Sequence, residues 1–374
     1  MLFQLPRSSY KDKTRNPTPL LPSYFRFRLF AFSALSLLRF AVLGFGNIGQ
    51  RHAQHIAAQS GAALTAICDT DRSKRQMASG NYPQIPVFES LEDLLISGNK
   101  ADVLCVCTPN GLHAAHAIAA LEAGLHVVVE KPMALSVAEC DAMIAAAKKA
   151  NRQLFAVKQN RYNPPVQAVK TLIENGQLGK VFLVQVNGFW NRNDAYYSQS
   201  SWRGTKELDG GCLFTQFSHF VDILYYLNGT VTAAQGIISN YLHRHNTDFE
   251  DTGSFTLRAA NGAIVSFAFT TGAFRKNMEG SITVFGEKGT VKIGGQYLNT
   301  IEYQQLEGGE ITLMDSGKLP NQYGAYEGSM SNHDLVIQNV VATLNGHEPM
   351  MTTAEEGREV VRIIQLMYDG ATVV

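Results

Sequence analysis

A lysine closing one apolar run and a histidine inside an apolar helix are the residues of this sequence best suited to move a proton. Lys131 lies in Glu130-Lys131-Pro132, directly after the run His126–Val129. Pro132 biases Lys131 toward extended backbone, ending the strand and presenting the ammonium to a crevice. Oxidising an alcohol requires a group that takes the hydroxyl proton as the carbonyl forms. Lysine or histidine serves when its surroundings bring its pKa near the working pH. Residue type alone leaves Lys131 as either that base or a solvated strand-end cation. His219 falls one turn into a helix predicted from Thr215 to Leu227, among Phe214, Phe217 and Phe220. By type alone it is a hydrogen-bonded core histidine.

A second group of residues could hold a nucleotide. Gly44-Phe45-Gly46-Asn47-Ile48-Gly49 is a Gly-x-Gly-x-x-Gly run between a predicted strand, Arg39–Leu43, and a predicted helix, Asn47–Ser60. That context gives the glycines meaning. Gly44 permits the tight turn, Gly46 lets backbone approach a pyrophosphate, and Gly49 lets helix and strand pack closely. The helix N-terminus supplies amide donors to phosphate. Asp69 ends the next strand, Ala63–Cys68. A carboxylate there accepts from ribose hydroxyls and repels a 2′-phosphate, which predicts NAD over NADP. Arg72, Lys74 and Arg75 follow closely.

The elements that must position these residues change character near residue 160. Before it, strands (Val103–Cys107 and His126–Val129 among them) alternate with helices such as Gly111–Ala123 and Ser136–Ala150. The latter opens on a capping box, Ser136-x-x-Glu139. Alternation of this kind means a parallel sheet covered on both faces. After residue 160 a helix Pro165–Asn175 leads to a long strand, Val181–Trp190, and the helix carrying His219. Six strands then follow between residues 233 and 305. Turn signals at Asn261-Gly262, Lys288-Gly289 and Gly308-Gly309 predict antiparallel pairing. Helices near Ser329–Leu344 and Thr353–Met367 close the chain, the second with an expected capping box Thr352-x-x-Glu355. The fold class is α/β, a doubly wound Rossmann sheet followed by an α+β domain on a mostly antiparallel open sheet. Expected boundaries are 1–38, an extension; 39–160, the nucleotide-binding domain; and 161–374, the substrate-binding and oligomerisation domain. The final helix is allowed to pack back on the first domain.

The chain has 374 residues, 45% hydrophobic and only 17% charged, enough apolar material for two cores and the reverse of a disordered composition. Its 32 basic and 32 acidic residues cancel, so no global field draws nucleic acid. Five cysteines, an odd number in apolar stretches with no Cys-x-x-Cys, predict free thiols in a reducing, cytoplasmic setting. Residues 1–38 carry six basic residues against Asp12, then an apolar run too short to span a bilayer, with no cleavage site after it. They are expected to be a disordered or artefactual extension, with the true start near Leu38. His52/His55 and His113/His116 are i, i+3 pairs lacking a third ligand at metal spacing, so no metal site is expected. His243 and His245 read as surface residues.

The glycine run, Cys107-Thr108-Pro109-Asn110-x-x-His113, Glu130-Lys131-Pro132 and Gly210-Gly211 followed by His219-x-x-Asp222 together resemble the Gfo/Idh/MocA oxidoreductases from residue 39 to about 370. The resemblance implies that Lys131 and His219 flank the reacting carbon of a sugar. It also implies that Thr108, Asn110, His113, Glu130 and Gln159 line NAD, and that the second domain assembles a homodimer or homotetramer. Many sugar and inositol dehydrogenases of the family carry Asp four residues before the histidine, whereas this chain has Thr215. An Asp–His relay is thereby lost, and Lys131 becomes the better base.

Gln159-Asn160-Arg161-Tyr162-Asn163-Pro164-Pro165, Phe189-Trp190-Asn191-Arg192 and Trp202-Arg203-Gly204 are similar to a narrower branch. Its members, the UDP-N-acetyl-2-amino-2-deoxyglucuronate dehydrogenases, oxidise C3 of a nucleotide-linked uronate for surface-polysaccharide synthesis. On that resemblance Asn160, Arg161, Arg192, Arg203 and Thr215 meet the substrate, with Trp190 and Trp202 stacking on a ring. Guanidinium groups suit a carboxylate and a diphosphate, although each arginine could equally pair with a local acid. An inositol or aldose dehydrogenase, and a regulator that kept the fold without turnover, are the other readings. Thr215 weighs against the first, and Lys131 together with His219 against the second.

Overall fold

The computed structural model describes residues 36–313, 317–318, 320–322 and 327–374; the expected extension lies outside these, apart from its last three residues. Residues 36–374 form one compact unit.

Six short strands make the first sheet: β1 (Leu38–Leu43), β2 (Ala62–Cys68), β3 (Val87–Phe88), β4 (Val103–Val106), β5 (His126–Val129) and β6 (Leu154–Ala156). Their order is β3-β2-β1-β4-β5-β6, all parallel. The strands are almost continuously apolar and buried because helices cover both faces. Those helices are α1 (Asn47–Ala58), α2 (Arg72–Asn81), α3 (Leu91–Ile96), α4 (His113–Glu122) and α5 (Val137–Ala150). Strand order reverses between β1 and β4, and the crevice beyond their carboxyl ends is where such sheets bind ligands.

Beyond α6 (Pro164–Glu174) comes β7 (Val181–Phe189), then α7 (Asp194–Tyr197), α8 (Cys212–Thr215) and α9 (Ser218–Asn228). The second sheet adds β8 (Val231–Ser239), β9 (Thr252–Ala259), β10 (Ile264–Thr270), β11 (Glu279–Gly286), β12 (Gly289–Gly294) and β13 (Thr300–Leu306). A hairpin of β14 (Pro320–Gln322) and β15 (Glu327–Met330) precedes α10 (His333–Leu344), α11 (Ala354–Asp369) and β16 (Ala371–Val373). The eight strands run β13-β12-β11-β7-β10-β9-β8-β16, antiparallel except for β7–β10 and β8–β16. Along β9, buried Gly253, Phe255, Leu257 and Ala259 alternate with partly or fully exposed residues, the period of a sheet with one covered face.

The last two helices return to the first sheet. Val336, Ile337, Val340 and Val341 of α10 share a core with Phe40, Val42 and Ile56. On the other side, Arg358 of α11 grips Asp141 of α5, and Gln365 accepts from the Val137 N–H. The capping box of α11 is one residue later than expected: Thr353 and Glu356 exchange the two bonds. α2, α3, β3, β6 and β16 were not foreseen, being short or polar.

The glycine turn depends on close contact. Gly44 has φ +89°, and a Cβ there would lie 2.6 Å from the Cys107 carbonyl oxygen. A Cβ on Gly49 would sit 1.8 Å from the Gly44 carbonyl oxygen. Gly49→Ala must push α1 off β1. We expect a loss of about 1–3 kcal/mol, the scale of overpacking, and loss of the thermal shift that added NAD produces, both read in melting curves.

Candidate active site

A cleft of about 1000 Å3 opens over the carboxyl ends of β1, β2, β4 and β5 and is closed opposite by residues 190–219. Gly44, Gly46, Asn47 and Ile48 line one end. The N-terminus of α1, capped by Gly46 without a side-chain bond, faces it with its amides available. A Cβ on Gly46 would meet nothing within 4 Å, so backbone here borders open space. Phe45 and Gly49 stand behind the wall: Phe45 is buried, and its N–H donates to Asp69 Oδ2 at 2.6 Å. Asp69 Oδ1 accepts the Asp71 N–H at 2.8 Å. Each carboxylate oxygen keeps a further lone pair for a ribose hydroxyl. The residues present therefore fit a dinucleotide.

Next along the cleft, Thr108 and His113 tie strand ends together. His113 Nδ1 lies 2.7 Å from the Pro132 carbonyl and Nε2 2.9 Å from the Thr108 carbonyl, while Thr108 Oγ1 meets His116. Glu130 is buried. Its Oε1 is 2.8 Å from His52 Nε2 and 3.4 Å from His333 Nε2, and its Oε2 accepts the Lys131 N–H at 3.1 Å. The third group beside His52 thus comes from α10, far away in sequence. Burial opposes the charges of this cluster. The two histidines nonetheless hold the Glu130 carboxyl well below its usual range. Contacts to Cys105 and Glu130 raise His52 to about 10 against that burial. Both Glu130 oxygens are committed, one to an ion pair and one to the backbone that presents Lys131.

Lys131 Nζ donates to the Thr215 carbonyl at 2.8 Å, and His219 lies one turn further along the same cleft wall. Burial pushes Lys131 down to about 8, with Lys158 and Arg192 adding to the fall and Glu130 and Asp209 resisting it. Burial, then the charges of Lys131 and Lys158, hold His219 well below the usual histidine range, so it is neutral at pH 7. A neutral lysine that gives one N–H to a carbonyl turns its lone pair elsewhere. Lys158, which follows β6 beside Lys131, carries no sequence motif, and Asp209 opens the run Asp209-Gly210-Gly211 with no role read for it. Both are fully or nearly fully buried polar residues, and nothing in their local sequence marks them as such.

Several expected substrate contacts are corrected. Arg161 is fully buried and held by Asp222 of α9 (Nη2–Oδ1 2.8 Å) and Glu356 of α11 (Nη1–Oε1 2.6 Å), with Tyr226 stacked on it; it does not line the cleft. Asn160, beside it, is also buried away from the cleft. Trp190 reaches the cleft but is 2% exposed, its ring packed on Phe217, Phe220 and Tyr297, so it supports the wall and offers no stacking face. Thr215 does line the cleft, but its hydroxyl is taken up by Asp209 and Asn110. His243 is not a surface residue but is buried against Asp251; His245 is exposed, on Asp194.

Gln159, Arg192, Trp202 and Arg203 do line the cleft. Arg192 is buried, over the rings of Trp190 and Tyr196 and bonded to Asn277. Arg203 stacks on Tyr196 at 4.3 Å and bonds Gln199 at 2.6 Å. Tyr196 and Gln199 carry no motif, and only their place beside these arginines marks them.

The five cysteines are free and buried. Among the described residues no helix is long and apolar enough to cross a membrane.

Comparison with known proteins agrees with this architecture. The profile of the Gfo/Idh/MocA oxidoreductases with an NAD-binding Rossmann fold matches residues 38–158, and that of the family's C-terminal domain residues 166–292. The WlbA dehydrogenase of Bordetella pertussis, crystallised with NADH and UDP-GlcNAcA, is 37% identical, with TM-score 0.79 over 89% of this chain and 96% of that one. WlbA of Chromobacterium violaceum, with the same ligands, is 34% identical, with TM-score 0.81 over 90% and 94%. D-glucoside 3-dehydrogenase of Escherichia coli is 23% identical over 90% of this chain and 96% of its own. A 1-carboxy-3-chloro-3,4-dihydroxycyclohexa-1,5-diene dehydrogenase of Comamonas testosteroni is 28% identical over 67% of this chain and 63% of its own length. The chain belongs to the Gfo/Idh/MocA family of NAD-binding oxidoreductases.

Proposed function

We propose that the protein oxidises C3 of a UDP-linked N-acetylhexosaminuronate with NAD, as a step in nucleotide-sugar metabolism for surface polysaccharide. The observation that carries this reading is the Lys131 amine, fixed on the Thr215 carbonyl beside His219 in a cleft also lined by Arg192 and Arg203. The two WlbA structures, at 34–37% identity with UDP-GlcNAcA and NADH bound, support the substrate class.

The glycine turn, the α1 N-terminus and Asp69 would hold NAD, which supplies the hydride acceptor when bound. Lys131 Nζ takes the C3 hydroxyl proton through the lone pair left after its bond to Thr215. His219, neutral, orients that hydroxyl or shares its proton. Arg192 and Arg203, held in place by aromatic faces, meet the carboxylate and diphosphate. Free, buried cysteines suit a cytoplasmic setting, and the second sheet offers the face for a homodimer or homotetramer.

NADH appearance should be followed with UDP-GlcNAcA, UDP-N-acetylglucosamine and myo-inositol side by side. Parallel reactions with 2-oxoglutarate, which takes the hydride back from tightly held NADH, are read instead by the oxidised sugar and 2-hydroxyglutarate formed. Turnover with UDP-GlcNAcA well above the others is expected; turnover with inositol alone would replace this reading by a polyol dehydrogenase. The base must be unprotonated to act. Its pKa of about 8 therefore makes kcat/KM rise about tenfold per pH unit below that value and level off above it.

A further inference from the structure

A buried carboxylate from the turn before α8 stands directly behind Thr215 in the cleft wall. Asp209 is fully buried, in the turn leading into α8. One of its oxygens meets the Thr215 hydroxyl, and the other accepts the Gly204 N–H at 2.9 Å. Asn110, after β4 in the first sheet, donates to Thr215 Oγ1 at 2.7 Å and to the Asp209 carbonyl at 2.9 Å. The backbone carbonyl of the same Thr215 holds Lys131 Nζ. The lysine's anchor is thereby fixed from the end of β4 by Asn110 and from the turn before α8 by Asp209, with that acid directly behind it.

We propose that Asp209 is a positioning residue for Lys131: through the Thr215 hydroxyl it fixes the carbonyl that orients the amine, and its buried charge stabilises the protonated amine that forms during reaction. The proposal rests on Lys131 being the base. Lys131 is faced by Glu130 on its own strand end, Lys158 after β6, Arg192 after β7, Asp209 before α8 and His219 in α9. Of the two acids, Glu130 is neutralised by His52. Asp209 is faced by Arg203 and Lys131; burial raises its pKa, and the Gly204 N–H and Thr215 hydroxyl work against that rise. Removing the carboxylate leaves Lys158 and Arg192 with less opposition, so Lys131 must lose its proton at lower pH.

The test reads the amine itself. The protein with NAD added is labelled with trace acetic anhydride across a pH series, and modification of Lys131 is quantified by peptide mass spectrometry. Asp209→Asn should lower the midpoint by roughly half a unit or more, about a threefold change in the proton equilibrium. Thr215→Val, which strips a hydrogen bond from the charged carboxylate, should lower it in the same sense by less. Thr215→Ser, which keeps the hydroxyl, should hold the wild-type midpoint. If Asp209→Asn does not fold, Thr215→Val carries the test. A wild-type midpoint in folded Asp209→Asn or Thr215→Val would overturn the proposal, whatever their activity. A midpoint that shifts while the pH–rate profile stays put would instead mean that Lys131 is not the base.

Discussion

Lys131→Ala is expected to lower kcat by about three orders of magnitude, within the range set by loss of a general base, while the dissociation constant for NAD changes little. Three features of the site separate these effects. The dinucleotide end of the cleft is built from Gly44–Ile48 and Asp69, none of which bonds to the Lys131 side chain. The Lys131 side chain is instead bonded to Thr215, across the cleft. Its backbone N–H, which survives the substitution, keeps the bond to Glu130. Single-turnover NADH formation and calorimetric NAD titration on the same preparation check the two halves. Parallel loss of both would make Lys131 a cofactor anchor.

Arg161→Met is expected to cost about 3–5 kcal/mol of folding stability, the penalty for stranding a partner of a buried ion pair. This arginine stands at the junction of three elements: the turn after β6, α9 through Asp222 and α11 through Glu356. Methionine leaves the Asp222 carboxylate buried with its main partner gone. His219, one turn before Asp222 on α9, should shift with the helix. A lowered midpoint in urea unfolding checks the prediction. An unchanged midpoint with a raised KM would return Arg161 to the substrate side.

These two residues mark what could be read in the sequence. Strand, glycine turn, helix and acid are contiguous from 39 to 69, and local chemistry alone identifies them. Pro132 places Lys131 at a strand end, but by residue type it reads equally as a solvated cation, and only the family resemblance singles it out as the base. Arg161 was misread because its partners lie 61 and 195 residues away; an arginine's destination depends on which acids the fold delivers to it. Lys158 has no sequence signal for the same reason, and Asp209, visible in its Gly-Gly run, gains a role only when the fold brings it to Thr215. Trp190 was misjudged because Phe217 and Phe220, brought by α9, occupy its ring. His333 joined the His52–Glu130 pair only because α10 folds back on α1. Two sheets were legible from the change in strand grammar near residue 160, and a return of the final helix to the first domain was allowed for, but the return of α10 carries no local signal.

The central claim is that C3 of a UDP-linked uronate loses hydrogen to NAD across Lys131. UDP-GlcNAcA deuterated at C3 alone, mixed with protein and NAD, tests it most directly through mass spectrometry of the reduced dinucleotide. The account predicts deuterium in the dinucleotide from wild-type protein and a large loss of that signal in Lys131→Ala. Reduced dinucleotide without deuterium would contradict it.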